Sequence, residues 1–164
     1  MIQSGLYLKA RSLKKEGKYD LAHTVYQESI KAGDAKGYYG LALIAEETGV
    51  AGEELIRMYS EPFVAIKQMA LAGDFIAATI VGIYYAMGLG NVNQDQKQAH
   101  LWFLIGAMGG DEVAQFNLAV HFYLGVVVEK NIDTAVAWLQ KSIQKSYPPA
   151  FELYNEIKNN IKRG

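Results

Sequence analysis

Cysteine is absent from the chain. That removes a disulfide framework, a thiolate nucleophile and a cysteine-based zinc site together, and it leaves the redox compartment unread. Charge of one sign is missing too. Lys and Arg total 16 against 17 for Asp and Glu, a formal net charge of −1, so no global field draws the molecule to nucleic acid or to an anionic membrane. Long hydrophobic runs stop short. Phe75 to Gln94 holds no charged residue and is mostly apolar as far as Leu89, but a spanning helix needs roughly 20 predominantly apolar residues. Gly88, Gly90, Asn91 and Asn93 break this one, so a buried helix followed by a turn is the better reading. The N-terminal MIQSGLYLKARSLKKEGKYD has no basic start followed by an apolar run. No secretory signal is read there, and a cytoplasmic location is expected.

Catalytic signatures are equally scarce. His23, His100 and His121 are far apart in sequence, with no His-x-x-x-His or His-Glu-x-x-His pattern to suggest zinc. Gly88-Leu89-Gly90 lacks the third glycine and the Gly-Lys-Ser/Thr ending of a phosphate loop, and Gly-x-Ser-x-Gly does not occur. Glu46-Glu47 and Glu53-Glu54 are neighbours in sequence, so on a helix their carboxylates diverge. The expectation is a chain without catalytic, cofactor-binding or metal-binding residues. A small enzyme on a helical scaffold is the lesser alternative.

What is present is a repeat. The 164 residues, 51% hydrophobic and 20% charged, suit one globular domain with a real core. Gly-Asp recurs at Gly33-Asp34, Gly73-Asp74 and Gly110-Asp111, with spacings of 40 and 37. Glycine suits the left-handed residue that ends one helix, and Asp suits the N-cap of the next. Counted from each Asp, the residue three on is small (Gly37, Ala77, Ala114) and seven on is apolar (Leu41, Val81, Leu118). Eight on is small again (Ala42, Gly82, Ala119), and eleven on stand Ala45, Tyr85 and Phe122. Small residues at fixed places let a neighbouring helix approach, and large ones fill the space beside it. Counting back from the closing glycine aligns Ala22, Pro62 and Ala99, then Val25, Ala65 and Trp102. In the last unit Ser146-Tyr147 replaces Gly-Asp, while Ala135 and Trp138 keep their offsets. Trp102 and Trp138 are therefore helix-packing residues.

The pattern predicts an all-α solenoid of four antiparallel helix pairs and a capping helix. A helices are expected at about 3–16, 35–48, 74–87 and 111–124, and B helices at about 18–32, 62–72, 95–109 and 131–145. The closing helix covers about 148–162, and Asp95 and Asn131 are the expected N-caps of the last two B helices. The units are about 2–33, 34–73, 74–110 and 111–146, with the cap at 147–164, all in a single domain. Residues 49–61 fit no part of the frame and read as an insertion or a short extra helix.

The run Ala77-Thr79-Val81-Gly82-Tyr85-Gly88-Leu89-Gly90, then Asp95, Ala99, Trp102, Ala107 and Gly110, resembles a Sel-one-like repeat, a relative of the tetratricopeptide repeat. The next copy, from Ala114 to Trp138, matches as well, with Val127 where a second glycine is usual. The first unit, through Gly17-Lys18-Tyr19-Asp20-Leu21-Ala22 and Tyr26, is similar to a plain tetratricopeptide repeat. The resemblance covers 74–150 most specifically and implies a right-handed superhelical scaffold that holds partner proteins and has no catalytic residues as a family trait.

In stacked helix pairs the A helices line the concave side. The resemblance places groove positions at Ser4, Tyr7, Arg11, Lys14 and Lys15 in the first unit, and at Lys36, Tyr39, Leu43, Glu46 and Glu47 in the second. In the third they are Ile76, Thr79, Ile83, Ala86 and Met87, and in the fourth Val113, Phe116, Val120, Tyr123 and Leu124. Tyr7, Arg11, Lys14, Tyr39, Thr79, Ile83, Met87, Phe116, Val120 and Tyr123 are the candidate contacts for a protein or peptide partner. The groove runs from basic to apolar, which would steer an acidic segment. Its apolar end reads equally as core beneath the last helix. Self-association, as a symmetric homodimer or a chaperone-like scaffold, is the alternative reading. The basic clusters at Lys9 to Lys18 and at Lys158, Lys162 and Arg163 lie at opposite ends, with Glu46 to Glu61 between. They read as solubilising caps, not as a nucleic-acid stripe.

Overall fold

The computed structural model describes residues 3–163, with side chains over 5–160. Ten helices follow one another, and no strand occurs among the described residues. The first pair is α1 (Gln3–Lys15) and α2 (Tyr19–Lys31). α3 (Lys36–Glu47) and α5 (Phe63–Leu71) form the second pair, with α4 (Gly52–Ser60) inserted between them. Then come α6 (Phe75–Met87) with α7 (Gln96–Met108), α8 (Glu112–Leu124) with α9 (Ile132–Gln144), and α10 (Pro148–Arg163). The extra segment at 49–61 is thus a short helix. Its Tyr59 is buried and donates its hydroxyl to Glu46 Oε2 at 2.6 Å.

The junctions work as their residues dictate. Gly33, Gly73 and Gly110 have φ of 86°, 94° and 86°, the left-handed conformation that reverses the chain after a helix. Asp74 and Asp111 then cap α6 and α8, whereas Asp34 stands one residue before the α3 N-cap, Ala35, and accepts from the Lys36 N–H at 3.1 Å. Asp74 Oδ1 accepts from the Ala77 N–H at 2.9 Å, and Asp111 Oδ1 from Val113 and Ala114 at 3.1 and 2.9 Å. Asp95 and Asn131 cap α7 and α9 in the same way. Where the repeat lost its glycines, the backbone kept the shape. Ser146 has φ 58° and Val127 φ 55°, close to the 61° of Gly90.

α6 lies in the middle of the stack, packed by α5 and α7 and touched by α3 and α8. Ala77 through Gly82 and Tyr84 are all buried. That explains the uncharged run, and no helix among the described residues is long and apolar enough to cross a membrane. Small residues receive large ones. A Cβ on Gly82 would stand 2.6 Å from the Phe103 ring, and one on Gly37 2.7 Å from Ile30. One large hydrophobic cluster runs from α1 to α7, and a second joins α8, α9 and α10 around Leu139, Ala150 and Ile157.

Candidate functional site on the concave face

The A helices converge. Tyr7 of α1, Tyr39 and Leu43 of α3, Thr79 and Ile83 of α6, and Val113 of α8 line one cavity of about 290 Å³. Arg11, Lys14 and Lys15 stand at its α1 side. Six of the ten sequence-predicted contacts, Tyr7, Arg11, Lys14, Tyr39, Thr79 and Ile83, therefore meet in one place. Four wall residues were not in the groove pattern: Ile80 of α6, the α8 N-cap Asp111, Tyr147 and Tyr26. Tyr147 comes from the turn before α10. Tyr26 comes from the B helix α2, whose ring lies against Gly40 of α3, where any Cβ would collide with it. The second glycine of Gly37-Tyr38-Tyr39-Gly40 was the available signal for Tyr26.

The stack is curved tightly enough for α1 to reach α8. Arg11 bridges to Asp111 at 3.4 Å and to Glu112, and Lys15 Nζ lies 3.8 Å from Glu112. Lys14 pairs with Glu47 on α3. The basic end of the expected groove is thus partnered across the hollow by carboxylates of the protein itself, which weakens the expectation that it steers an acidic segment. Burial raises the pKa of the lining phenols. Tyr26 is pushed up to about 12, and Tyr7, Tyr39 and Tyr147 are raised by the same cause. All four remain protonated donors at neutral pH.

Phe116, Val120 and Tyr123 do not join this cavity. α10 packs chiefly on α9 and lies beside their face of α8, and the three line a separate hollow with Leu153, Pro149 and Glu156. The Phe116 ring meets Tyr147 edge-on at 5.5 Å, and the Tyr123 hydroxyl donates to Glu156 at 3.4 Å. Met87 lines neither hollow and is 66% exposed at the end of α6. Lys36, a groove position by offset, turns inward instead. It is fully buried, 3.0 Å from Asp34 Oδ1, and also bridges to Asp74. The Ser4 side chain lies outside the described ones.

Sequence spacing also concealed a histidine pair. His100 on α7 and His121 on α8 place their Nδ1 atoms 3.1 Å apart, with nearly coplanar rings. No group of three or more His, Asp or Glu side chains is placed to hold a metal among the described residues.

The Sel1 repeat family model matches residues 76–111 and 113–147. Residues 76–147 carry two Sel1 repeats. Both matched stretches begin just inside an A helix, α6 and then α8, and run through the paired B helix to the next junction. A sel1-like repeat-containing protein, L21, of Acanthamoeba polyphaga mimivirus is 32% identical over 82 residues, half of this chain and 14% of that protein. Among solved structures, c5321, a protective antigen of uropathogenic Escherichia coli with an SLR fold, superposes with a TM-score of 0.61. It is 22% identical, over 85% of this chain and 29% of its own. A Sel1 repeat protein from Oxalobacter formigenes gives a TM-score of 0.58 at 22% identity, over 94% of this chain and 62% of its own. These structures share the helical solenoid fold, and the chain spans only part of each relative's length. Sel1 repeats are in general protein-interaction modules.

Proposed function

We propose that the chain is an adaptor, a non-catalytic interaction module that holds a partner protein or peptide on its concave face. One observation carries this reading. Four A helices from four successive units present side chains to one hollow, and apolar groups continue outward from it through Ile83 to the exposed Met87. Solvent-facing apolar surface beside a cavity is where binding energy is concentrated. Phe116, Val120 and Tyr123 contribute differently under this reading. They hold α10 in place and bound the far side of the face.

The test uses Ile83→Ser and Met87→Ser in one chain. The doubly substituted protein should keep its helical spectrum and melt within a few degrees of the parent. In quantitative capture from native lysate, the proteins retained by the parent should be depleted on the variant. Equal retention by the two folded proteins rejects the concave face as the docking surface.

A further inference from the structure

The tyrosine-walled cavity holds more unspent hydrogen-bonding capacity than packing requires. Tyr7, Tyr26 and Tyr39 are 3%, 1% and 5% exposed, yet their hydroxyls, and that of Tyr147, bond to no described residue. A buried polar group left unpaired is costly, so such groups face water or a ligand. Four such phenols, those of the buried Tyr7, Tyr26 and Tyr39 and of the half-buried Tyr147, line one space of about 290 Å³ and form a donor array without an internal partner. The lining carries three cations, Arg11, Lys14 and Lys15, against one carboxylate, Asp111. Asp111 spends Oδ1 on the α8 N-terminus and Oδ2 on Arg11. Glu47 and Glu112, which do not line the cavity, hold Lys14 and Arg11, which leaves Lys15, half exposed and 3.8 Å from Glu112, the most available cation. The opposite wall, Leu43, Ile76, Ile80 and Val113, is aliphatic. The volume corresponds to roughly ten water molecules at about 30 Å³ each, room enough for a small organic molecule.

We propose that this cavity binds a small organic acid, with its carboxylate among the four phenols and Lys15 and its apolar body against the aliphatic wall of α3, α6 and α8. The inner cavity, and not the rim around Met87, is the site, so the assignment does not rest on a protein partner.

The full chain, labelled with nitrogen-15, is titrated with sodium 3-phenylpropionate and, separately, with the neutral 3-phenylpropanamide. The acid should give saturable shifts at the Arg11, Tyr39 and Thr79 amides, with a dissociation constant on the order of 1 mM, as expected for a fragment of this size. The amide should bind about tenfold more weakly, because charge-assisted hydrogen bonds are the stronger ones. Tyr39→Phe removes one donor at nearly constant volume and should weaken the acid several-fold. Lys15→Gln, at a half-exposed position that leaves folding alone, should weaken the acid but not the amide. Shifts that do not saturate, or equal binding of acid and amide, overturn the proposal. So does acid binding that is unchanged in Lys15→Gln and in a folded Tyr39→Phe. If the acid fails while Ile83→Ser with Met87→Ser still abolishes partner capture, the docking face stands and the ligand site falls.

Discussion

The pH dependence of stability should be governed in part by His121. It is buried on α8, its Nδ1 3.1 Å from that of His100 and its ring edge-on to Phe103 at 5.7 Å. At that distance one ring donates and the other accepts, so the pair wants one proton between the facing nitrogens. Burial, and then His100, lower the His121 pKa to about 4; burial lowers His100 as well. An unfolded histidine titrates near 6.5. The folded value is the depressed one, so below about pH 6.5 the unfolded chain binds more protons. Stability is then fully present above the unfolded value and is lost as the pH falls toward about 4. The whole gap is worth about 3 kcal/mol, of which about 2 kcal/mol is gone by about pH 5. Urea denaturation at about pH 7 and about pH 5 measures it, with His121→Gln as the comparison, since carboxylate titration is common to both chains. The parent should lose about 2 kcal/mol more than the variant over that interval. Parallel losses in the two proteins would refute the reasoning.

Two further outcomes follow from single sites. Lys36→Met leaves the wholly buried Asp34 carboxyl without its 3.0 Å partner, so chemical denaturation should show a loss of about 3–5 kcal/mol; adding Asp34→Asn should restore part of it, and a neutral Lys36→Met would deny the ion cluster its role. Val127→Gly should stabilise the chain by about 0.5–1 kcal/mol, because a branched residue at φ 55° carries strain that outweighs the entropy cost of glycine. An unchanged or lower denaturation midpoint counts against that.

The features legible in sequence solve local problems. A helix must be ended and the next one capped, and Gly-Asp does both within two residues at 73–74 and 110–111, with the cap one residue later at 33–34, so these junctions and the caps at Asp95 and Asn131 could be read without tertiary information. What escaped depends on curvature. Arg11 and Glu112 are about a hundred positions apart, and only the closing of the stack brings them together. The α10 helix, packed on α9, bounds a second hollow with α8, so the expected groove is divided in two. Lys36 was misplaced because the offset rule treats every position after Asp alike. At this junction, however, the next unit supplies Asp74 as a carboxylate within reach, and the side chain turns inward to it. The histidine pair lies 21 residues apart on helices of adjacent units, a separation that no periodic template marks.

The repeat keeps summed volume rather than residue identity. Eight residues after the Asp position stand Ala10, Ala42, Gly82 and Ala119; seven before the closing residue stand Tyr26, Ile66, Phe103 and Leu139. All eight are essentially inaccessible to solvent. The smallest residue of the first set shares a unit with the large Phe103, whose ring fills the space a Cβ on Gly82 would take. Ile66 and Leu139 share units with alanines. Close packing demands this reciprocity, since interiors tolerate neither a void nor an extra methylene. The first unit departs from it. Tyr26 is longer than its counterparts, and the room for it comes from Gly40 in the following A helix rather than from its own unit. Its hydroxyl is thereby carried past the packed layer to the concave side, beside Tyr7 and Tyr39. The cavity therefore stands where the repeat departs from its own rule.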